Sequence, residues 1–146
     1  MISTKRGDGG ISEYLGKKVS KSGKILEALG TLDELQAVLG LVKLEKLQND
    51  IYEIMGKKFK DERIKELEKE IKKLDKKIKI ENKFVIFKDE RAMKLNWVRT
   101  IVRRAERRSM VFRDKNILIY LNRLSDFIYL LALKEEGQGI ALSVQK

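Results

Sequence analysis

The chain has 146 residues, enough for one domain of ordinary size with a buried core. It contains no Cys, His or Pro, which excludes thiol nucleophiles, serine and histidine triads, and metal sites made of thiolate or imidazole ligands. Lys and Arg outnumber Asp and Glu by 33 to 22, and the net charge of +11 favours an anionic partner.

The start of the chain, MISTKRGDGG, has no apolar segment of the kind found in signal peptides. Apolar runs elsewhere, such as residues 127 to 133, are far shorter than a bilayer span. These features predict a cytoplasmic protein with no membrane segment.

Residues 1 to 24 hold five of the ten glycines and few large apolar groups, which predicts a loop. Glycine frees the backbone, so that its amides can turn toward an anion. Lys5 and Arg6 add positive charge, and Asp8 could hold a metal-bound phosphate. The loop is interpreted as an anion-binding segment, with a plain flexible terminus as the alternative.

Three amphipathic helices are predicted next, because apolar residues recur at steps of three and four. They cover residues 24 to 41, 43 to 59 and 61 to 80. Asp33 and Glu34 interrupt the apolar face of the first helix, and a carboxylate near such a surface needs a partner. Two interpretations stay open: exposure to solvent, or pairing with an arginine across an interface.

The second half of the chain is predicted to contain a connector, two helices and a tail. Residues 81 to 89 break the helical periodicity and read as an extended connector, in which Phe84 and Phe87 are expected in the core. The helices cover residues 89 to 112 and 115 to 136, and the loosely held tail follows.

The helix at 89 to 112 carries a row of arginines. At about 100° per residue, Arg99, Arg103 and Glu106 share one face, and Arg107 lies at its edge. Arginines one turn apart repel each other unless an anion or a carboxylate neutralises them. Guanidinium groups bind phosphate or carboxylate oxygens two at a time, and Glu106 can hold them in position. The row predicts an anion site, with a solvated basic face as the alternative.

These motifs, in this order, resemble the PduO-type ATP:cob(I)alamin adenosyltransferases, also called corrinoid adenosyltransferases. The matching segments span most of the chain: TKRGDGG at 4 to 10, Lys21, EALGTLDEL at 27 to 35, LQNDIYEIMG at 47 to 56, VRTIVRRAERR at 98 to 108 and YLNRLSDFIYLLAL at 120 to 133. The resemblance implies an all-α, five-helix bundle as a single domain over residues 1 to 146. It also implies a homotrimer, with ATP and the corrinoid bound between neighbouring subunits.

The activity implied by the resemblance is transfer of the 5′-deoxyadenosyl group of ATP to the cobalt of reduced cobalamin, with release of triphosphate. Mg²⁺ is expected to arrive with ATP, and the chain offers no metal site built from His or Cys. A reductase and a B12-dependent mutase are implied partners.

Site residues follow from the resemblance position by position. The implied ATP-binding residues are Thr4, Lys5, Arg6, Gly7, Asp8, Ser12 and Lys21 in the N-terminal loop, and Arg103, Arg104, Ala105, Glu106, Arg107 and Asn122 in the last two helices. The implied catalytic residues are Arg103, Glu106 and Arg99, and Arg99 is expected to pair with Asp33 of a neighbouring subunit. Phe84 resembles the aromatic wall that displaces the lower axial ligand of cobalamin, and Tyr129 is a second residue of that pocket.

Three positions depart from the family pattern. Gly9 stands where the family often has Lys, Asn96 replaces a usual His, and FKD at 87 to 89 replaces a PGG turn. The first bears on triphosphate affinity, and the other two bear on the shape of the corrinoid pocket. A paralogue of reduced activity is therefore one alternative.

Two further alternatives belong to other classes of protein. A basic helical bundle could bind nucleic acid through Arg103, Arg104, Arg107 and Arg108, but the second and fourth of these lie roughly opposite Arg99 and Arg103, and no groove-reading motif is present. An oligomerisation module without a ligand would leave the polar sets at 99 to 107 and 122 to 126 unexplained.

Overall fold

A computed structural model describes residues 1 to 80, 83 to 137 and 142 to 145. Five helices dominate it, and we number them α1 Lys24–Leu41, α2 Glu45–Met55, α3 Glu62–Asp75, α4 Glu90–Ser109 and α5 Lys115–Glu136. The predicted all-α, five-helix architecture is confirmed. The predicted ends of two helices are wrong. α2 ends at Met55, before a turn at Gly56, and not at residue 59; α3 ends at Asp75, within a lysine-rich segment, and not at residue 80.

The helices enclose one apolar core. α4 packs along α5 and α1, α2 packs on α1, and α3 covers α5. Fully buried side chains from each of the four innermost elements meet there, including Leu35, Ile51, Leu95, Val102 and Leu124. By length and composition alone, α5 is long and apolar enough to cross a membrane. Its most apolar 18-residue stretch has a mean hydropathy of 1.2, and 44% of that stretch is buried in the bundle. Packing against α3 and α4 accounts for much of its apolar surface.

The N-terminal segment is not only a loop. Residues Ile11–Tyr14 (β1) and Lys17–Ser20 (β2) form an antiparallel hairpin, with Ile11 opposite Ser20 and Tyr14 opposite Lys17. Leu15 and Gly16 make the two-residue turn with φ of 50° and 79°, the positive values that suit tight hairpins. Tyr14 Oη donates to the carbonyl of Met55 at 2.9 Å, so the hairpin is fastened to the end of α2.

A second pair of strands joins the connector before α4 to the end of the chain. Residues Lys83–Ile86 (β3) pair antiparallel with Leu142–Gln145 (β4), which confirms the extended connector. The prediction of a loosely held tail is wrong for residues 142 to 145, and residues 138 to 141 and 146 lie outside the described part. Phe87 is buried as predicted, but Phe84 is not a core residue, since its exposure is 61%.

A buried ion pair ties three helices together. Asp50 of α2 is 2% exposed, and its two carboxylate oxygens accept from Arg63 Nε at 2.8 Å and Nη2 at 2.7 Å. The phenol of Tyr120 in α5 donates to the same carboxylate at 2.5 Å. Both carboxylate oxygens of Asp50 therefore accept hydrogen bonds, and one donor is a paired cation. A buried charge is tolerated under these conditions.

Candidate functional site

The frame of the site is the pair α4 and α5, and the start of each helix is fixed by side chains. Asp89 caps α4 by accepting from the amide of Ala92 at 2.9 Å. Glu136, at the end of α5, is buried and accepts from the amides of Lys88 and Asp89 at 2.9 to 3.0 Å. Asp114 caps α5 through the amides of residues 116 and 117. These bonds hold the two helices in a fixed relation, so the side chains between them are prearranged.

Between α4 and α5 lies a groove of about 390 Å³, which we call the α4–α5 groove. Its lining residues are Arg103, Glu106, Arg107, Met110, Leu118 and Asn122. Asn122 Nδ2 donates to Glu106 Oε1 at 3.5 Å, and Asn122 Oδ1 accepts from Arg123 Nη1 at 2.8 Å. Four of the predicted ATP-binding residues are therefore gathered in one place, with two guanidinium groups and one carboxylate.

Arg99 extends the arginine row one turn before Arg103. Its Nε donates to Asn96 Oδ1 at 3.0 Å, and its guanidinium lies 5.8 Å from the centroid of the Tyr129 ring. Burial, followed by the nearby charge of Arg103, lowers the pKa of Arg99. The side chain stays charged at neutral pH, because guanidinium is not deprotonated in proteins. Its environment is one in which a carboxylate from outside the subunit would be stabilising.

Asp33 does not meet Arg99 within the chain. It is exposed on α1, and its Oδ1 accepts from Gln36 Nε2 at 3.1 Å. The pairing of Asp33 with Arg99 across subunits stays a prediction. Glu34, the other carboxylate in this segment, forms an ion pair with Arg104 of its own chain.

The opposite side of the arginine helix faces α1. Arg108 pairs with Glu27 at 2.9 Å and donates to Thr31 Oγ1 at 2.8 Å, while Arg104 pairs with Glu34. Ala105 is fully buried. Arg104 and Ala105, both included in the predicted ATP-binding set, are thus placed outside the lining of the α4–α5 groove.

The predicted N-terminal ATP residues form a separate turn. Asp8 donates its amide to the carbonyl of Lys5 at 3.2 Å, and Lys21 donates its amide to Gly10 at 2.9 Å. A Cβ on Gly7 would lie 2.7 Å from Lys21 Nζ, so a larger residue there would displace the lysine side chain from its place over the backbone. Thr4 and Arg6 are exposed, and Ser12 is half-buried on β1. In the described part of the chain, no hydrogen bond or ion pair joins residues 4 to 8 to the α4–α5 groove.

The two predicted corrinoid-pocket residues lie on different elements. Phe84 is on β3 and exposes most of its side chain. Tyr129 is half-buried on α5, where its ring meets that of Phe87 edge to face at 6.3 Å. Tyr129 therefore connects the connector preceding α4 to Arg99.

A second groove adjoins the first, and sequence reasoning did not single it out. It measures about 640 Å³ and is lined by Lys24, Glu27, Arg107, Arg108, Met110, Val111 and Arg113. We call it the basic groove. Its residues come from the first turn of α1, from the last turn of α4, and from the 3₁₀ turn Met110–Phe112 with Arg113 after it. The arginines between residues 103 and 113 were the sign of this groove in the sequence. The approach of α1 to them depends on tertiary packing, which the sequence pattern does not reveal.

Comparison with known proteins decides the family. The cobalamin adenosyltransferase family model matches residues 2–135. The chain belongs to this family. Corrinoid adenosyltransferase PduO of Salmonella typhimurium is 31% identical over an alignment of 169 positions. The alignment covers 94% of this chain and 50% of that protein. Corrinoid adenosyltransferase of Bacillus subtilis is 28% identical over an alignment of 159 positions, which covers 88% of this chain and 82% of the relative. The chain spans about half the length of the PduO relatives it matches.

Solved structures of the family agree with the fold. An arginine-to-lysine variant of the PduO-type ATP:corrinoid adenosyltransferase of Lactobacillus reuteri, complexed with ATP, matches with a TM-score of 0.87 and 25% identity. A phenylalanine-to-alanine variant complexed with cobalamin and ATP gives 0.80 and 25%. Each match covers 100% of this chain and 99% of the other. The predicted membership of the adenosyltransferase family is thereby confirmed.

Proposed function

We propose that the protein transfers the 5′-deoxyadenosyl group of ATP to the cobalt of reduced cobalamin and releases triphosphate. The observation that carries the proposal is the α4–α5 groove, in which Arg103, Arg107, Glu106 and Asn122 meet in a chain of this family. The ATP and cobalamin named for the Lactobacillus reuteri complexes support both substrates.

The chemistry suits a site without nucleophilic side chains. Cobalt supplies the electron pair for the new bond to C5′, while the C5′–O bond breaks and its electrons leave with the triphosphate. No protein nucleophile is required, which agrees with the absence of His and Cys. The protein's part is to position ATP and to stabilise the charge that grows on the leaving oxygen.

Arg103 and Arg107 are assigned to that leaving group, because they line the groove and neither forms an ion pair with a described residue. Glu106 lies between them on α4 and is held by Asn122. A carboxylate in this position can fix the rotamers of the arginines, so that they need not reorganise in the transition state.

We further propose a homotrimer in which the site is shared. The turn at residues 4 to 8, with Ser12 and Lys21, would complete the α4–α5 groove of a neighbouring subunit, and Asp33 would pair with that neighbour's Arg99. The separation of these groups within one chain and the half-buried state of Arg99 support this arrangement.

Mg²⁺ is proposed to enter on the phosphates of ATP, as is usual for this ion. The described residues contain no group of three or more acidic side chains able to hold it. Phe84 and Tyr129 are proposed to border the corrinoid. A reductase that supplies reduced cobalamin and a B12-dependent mutase that uses the product are the proposed partners, and ATP as substrate favours the cytoplasm.

The departures from the family pattern have local replacements in this structure. Asn96, in place of His, orients Arg99, and the segment at 87 to 89 is fixed by Glu136 and by the cap of Asp89. Gly9 offers no side chain to a phosphate, and Lys21 over Gly7 is the nearby cation.

The deciding experiment is anaerobic incubation with ATP, Mg²⁺ and chemically reduced cobalamin, followed by the absorption spectrum of the product. Formation of light-sensitive adenosylcobalamin that depends on ATP is the expected result. Tight binding of ATP and cobalamin without product would instead assign the chain to a paralogue of reduced activity.

A further inference from the structure

The basic groove is continuous with the α4–α5 groove, because Arg107 and Met110 line both. The two grooves differ in charge. Two arginines and one carboxylate line the α4–α5 groove, which leaves one net positive charge. Four cations and one carboxylate line the basic groove, which leaves three. The stronger field for a polyanion is therefore beside the site proposed for ATP, and not within it.

Three of the four cations have no ionic partner. Glu27 pairs with Arg108 at 2.9 Å, whereas Lys24, Arg107 and Arg113 form no ion pair with any described residue. All three are exposed. Cations gathered without carboxylates repel one another, and an anion that bridges them removes that repulsion.

One wall of the groove is held by side-chain and backbone hydrogen bonds. Arg108 is held by the Glu27 carboxylate and by Thr31 Oγ1, and Thr31 is buried and donates to the carbonyl of Glu27 at 2.8 Å. Arg113 has a left-handed backbone with φ of 52°, and its amide donates to Met110 at 3.1 Å. The 3₁₀ turn therefore presents Arg113 from a fixed backbone at the edge of the groove.

We propose that the basic groove binds inorganic triphosphate next to the ATP site. The choice of triphosphate as the ligand rests on the proposed function, since triphosphate is the product released when the adenosyl group leaves ATP. Arg107 belongs to both grooves, so the leaving triphosphate can pass from one to the other without losing this guanidinium. Lys24, Arg108 and Arg113 then bind a polyanion that lacks an adenosine, and the site favours triphosphate over ATP.

The test is titration calorimetry of the whole protein with sodium triphosphate and, separately, with ATP, at about 0.15 M salt, where exposed charges are screened beyond about 8 Å. The variant is the double substitution Lys24→Gln with Arg113→Gln. Its matched control is Lys72→Gln with Lys76→Gln, which removes two exposed positive charges from the far helix α3 and its end. Circular dichroism checks that both variants remain folded.

The expected result is a loss of triphosphate affinity of about tenfold or more in the groove variant, equivalent to about 1.4 kcal/mol. The control should change by less than about twofold, and Arg113→Lys, which keeps the charge, should recover part of the affinity. ATP binding should weaken less than triphosphate binding in the groove variant.

Several results would overturn the proposal: no binding of triphosphate to the unaltered protein, equal losses in the variant and its control, or equal losses for ATP and triphosphate. The adenosyl-transfer assay is independent of these titrations. Triphosphate binding without transfer would reject the proposed function and leave the anion site, whereas transfer without triphosphate binding would reject only the anion site.

Discussion

Arg103 is the residue at which the effects of geometry and charge on the proposed reaction can be separated. It lies one turn after Arg99 and lines the α4–α5 groove together with Glu106. Lysine in its place would keep the charge but lose the planar pair of donors that matches phosphate oxygens. Arg103→Lys is expected to lower kcat by roughly tenfold or more, which corresponds to about 1.4 kcal/mol of lost transition-state stabilisation. The measurement is kcat and KM for ATP under anaerobic, reducing conditions.

A matched control for Arg103→Lys is Arg91→Lys on the same helix. Arg91 pairs with Glu135 at 2.6 Å and lies twelve residues earlier, about 18 Å along the helix. Its replacement should leave kcat nearly unchanged. If Arg103→Lys raises KM and leaves kcat untouched, the residue contributes uniform binding, and its proposed role in the transition state is wrong.

Glu106 is expected to act on the arginines and not on the substrate directly. Glu106→Gln keeps the size of the side chain and its acceptor for Asn122 but removes the negative charge between Arg103 and Arg107, which we expect to orient both arginines around bound ATP. Activity should fall by about tenfold, with the thermal midpoint shifted by a few degrees at most, since Glu106 is only half-buried. Steady-state kinetics and thermal melts check this. A melt displaced as far as that of a core variant would mean that Glu106 is structural.

At this scale the helical period distinguishes the faces of α4, and the family motif does not. The helical step already separated Arg99, Arg103 and Glu106 from Arg104, and the structure places Arg104 against Glu34. The match to the family motif assigned Arg104 and Ala105 to ATP together with their neighbours, because a motif match does not distinguish one face of a helix from another. Lys24 and Arg113 could not be assigned to a groove in advance, since their proximity depends on how α1 crosses the end of α4.

Among the elements, α5 carries a buried phenol, Tyr120, which donates a hydrogen bond to Asp50 of α2. Burial, and then the nearby Asp50 carboxylate, raise the pKa of Tyr120 well above its usual value. The unfolded chain loses this proton near pH 10, whereas the folded protein keeps it. The contribution of Tyr120 to stability is therefore full below about pH 10 and is lost as the pH rises toward the folded pKa.

Tyr120→Phe tests this linkage, because it removes the proton and leaves the Arg63 bonds to Asp50 in place. The unaltered protein should lose more unfolding free energy between pH 9 and pH 11 than the variant does. Urea denaturation at both pH values measures the difference, and the many lysines titrate in both proteins alike. Identical losses in the two proteins would show that Tyr120 is not the linked group.

The helices were predictable because their apolar faces recur at steps of three and four. Of the short strands, only the extended backbone at residues 83 to 86 was predicted, and no strand pairing was. The turn at Leu15 and Gly16 lacks the usual Asn or Asp before glycine, so nothing local marked the first hairpin. The pairing of β3 with β4 joins residues about 60 positions apart. Such long-range pairing depends on the finished bundle, which explains why the tail was read as loose and Phe84 as buried.

For the whole molecule, the charge of +11 raises the question of nucleic acid. Binding through several phosphates falls steeply with salt, whereas a preorganised ATP site retains much of its affinity and requires Mg²⁺. We expect weak oligonucleotide binding that disappears between about 50 and 200 mM salt, with ATP binding largely preserved. Fluorescence anisotropy with labelled oligonucleotide and labelled ATP compares the two. Tight, salt-resistant oligonucleotide binding with no ATP binding would retain the fold assignment and reject the proposed function.

Assembly is the property that connects the two separated halves of the proposed site. Arg99 is half-buried beside Arg103, and packing against a neighbouring subunit would desolvate it further, so its charge would need a carboxylate there. Asp33→Asn should therefore weaken the trimer or raise KM for ATP, because the neighbour's Arg99 would lose its proposed partner. Light scattering across micromolar concentrations and steady-state kinetics measure both effects, with Asp61→Asn, an exposed carboxylate next to α3, as the control. A monomer in the unaltered protein would remove the basis for a shared site, and an unchanged trimer with unchanged rates in Asp33→Asn would reject this pairing.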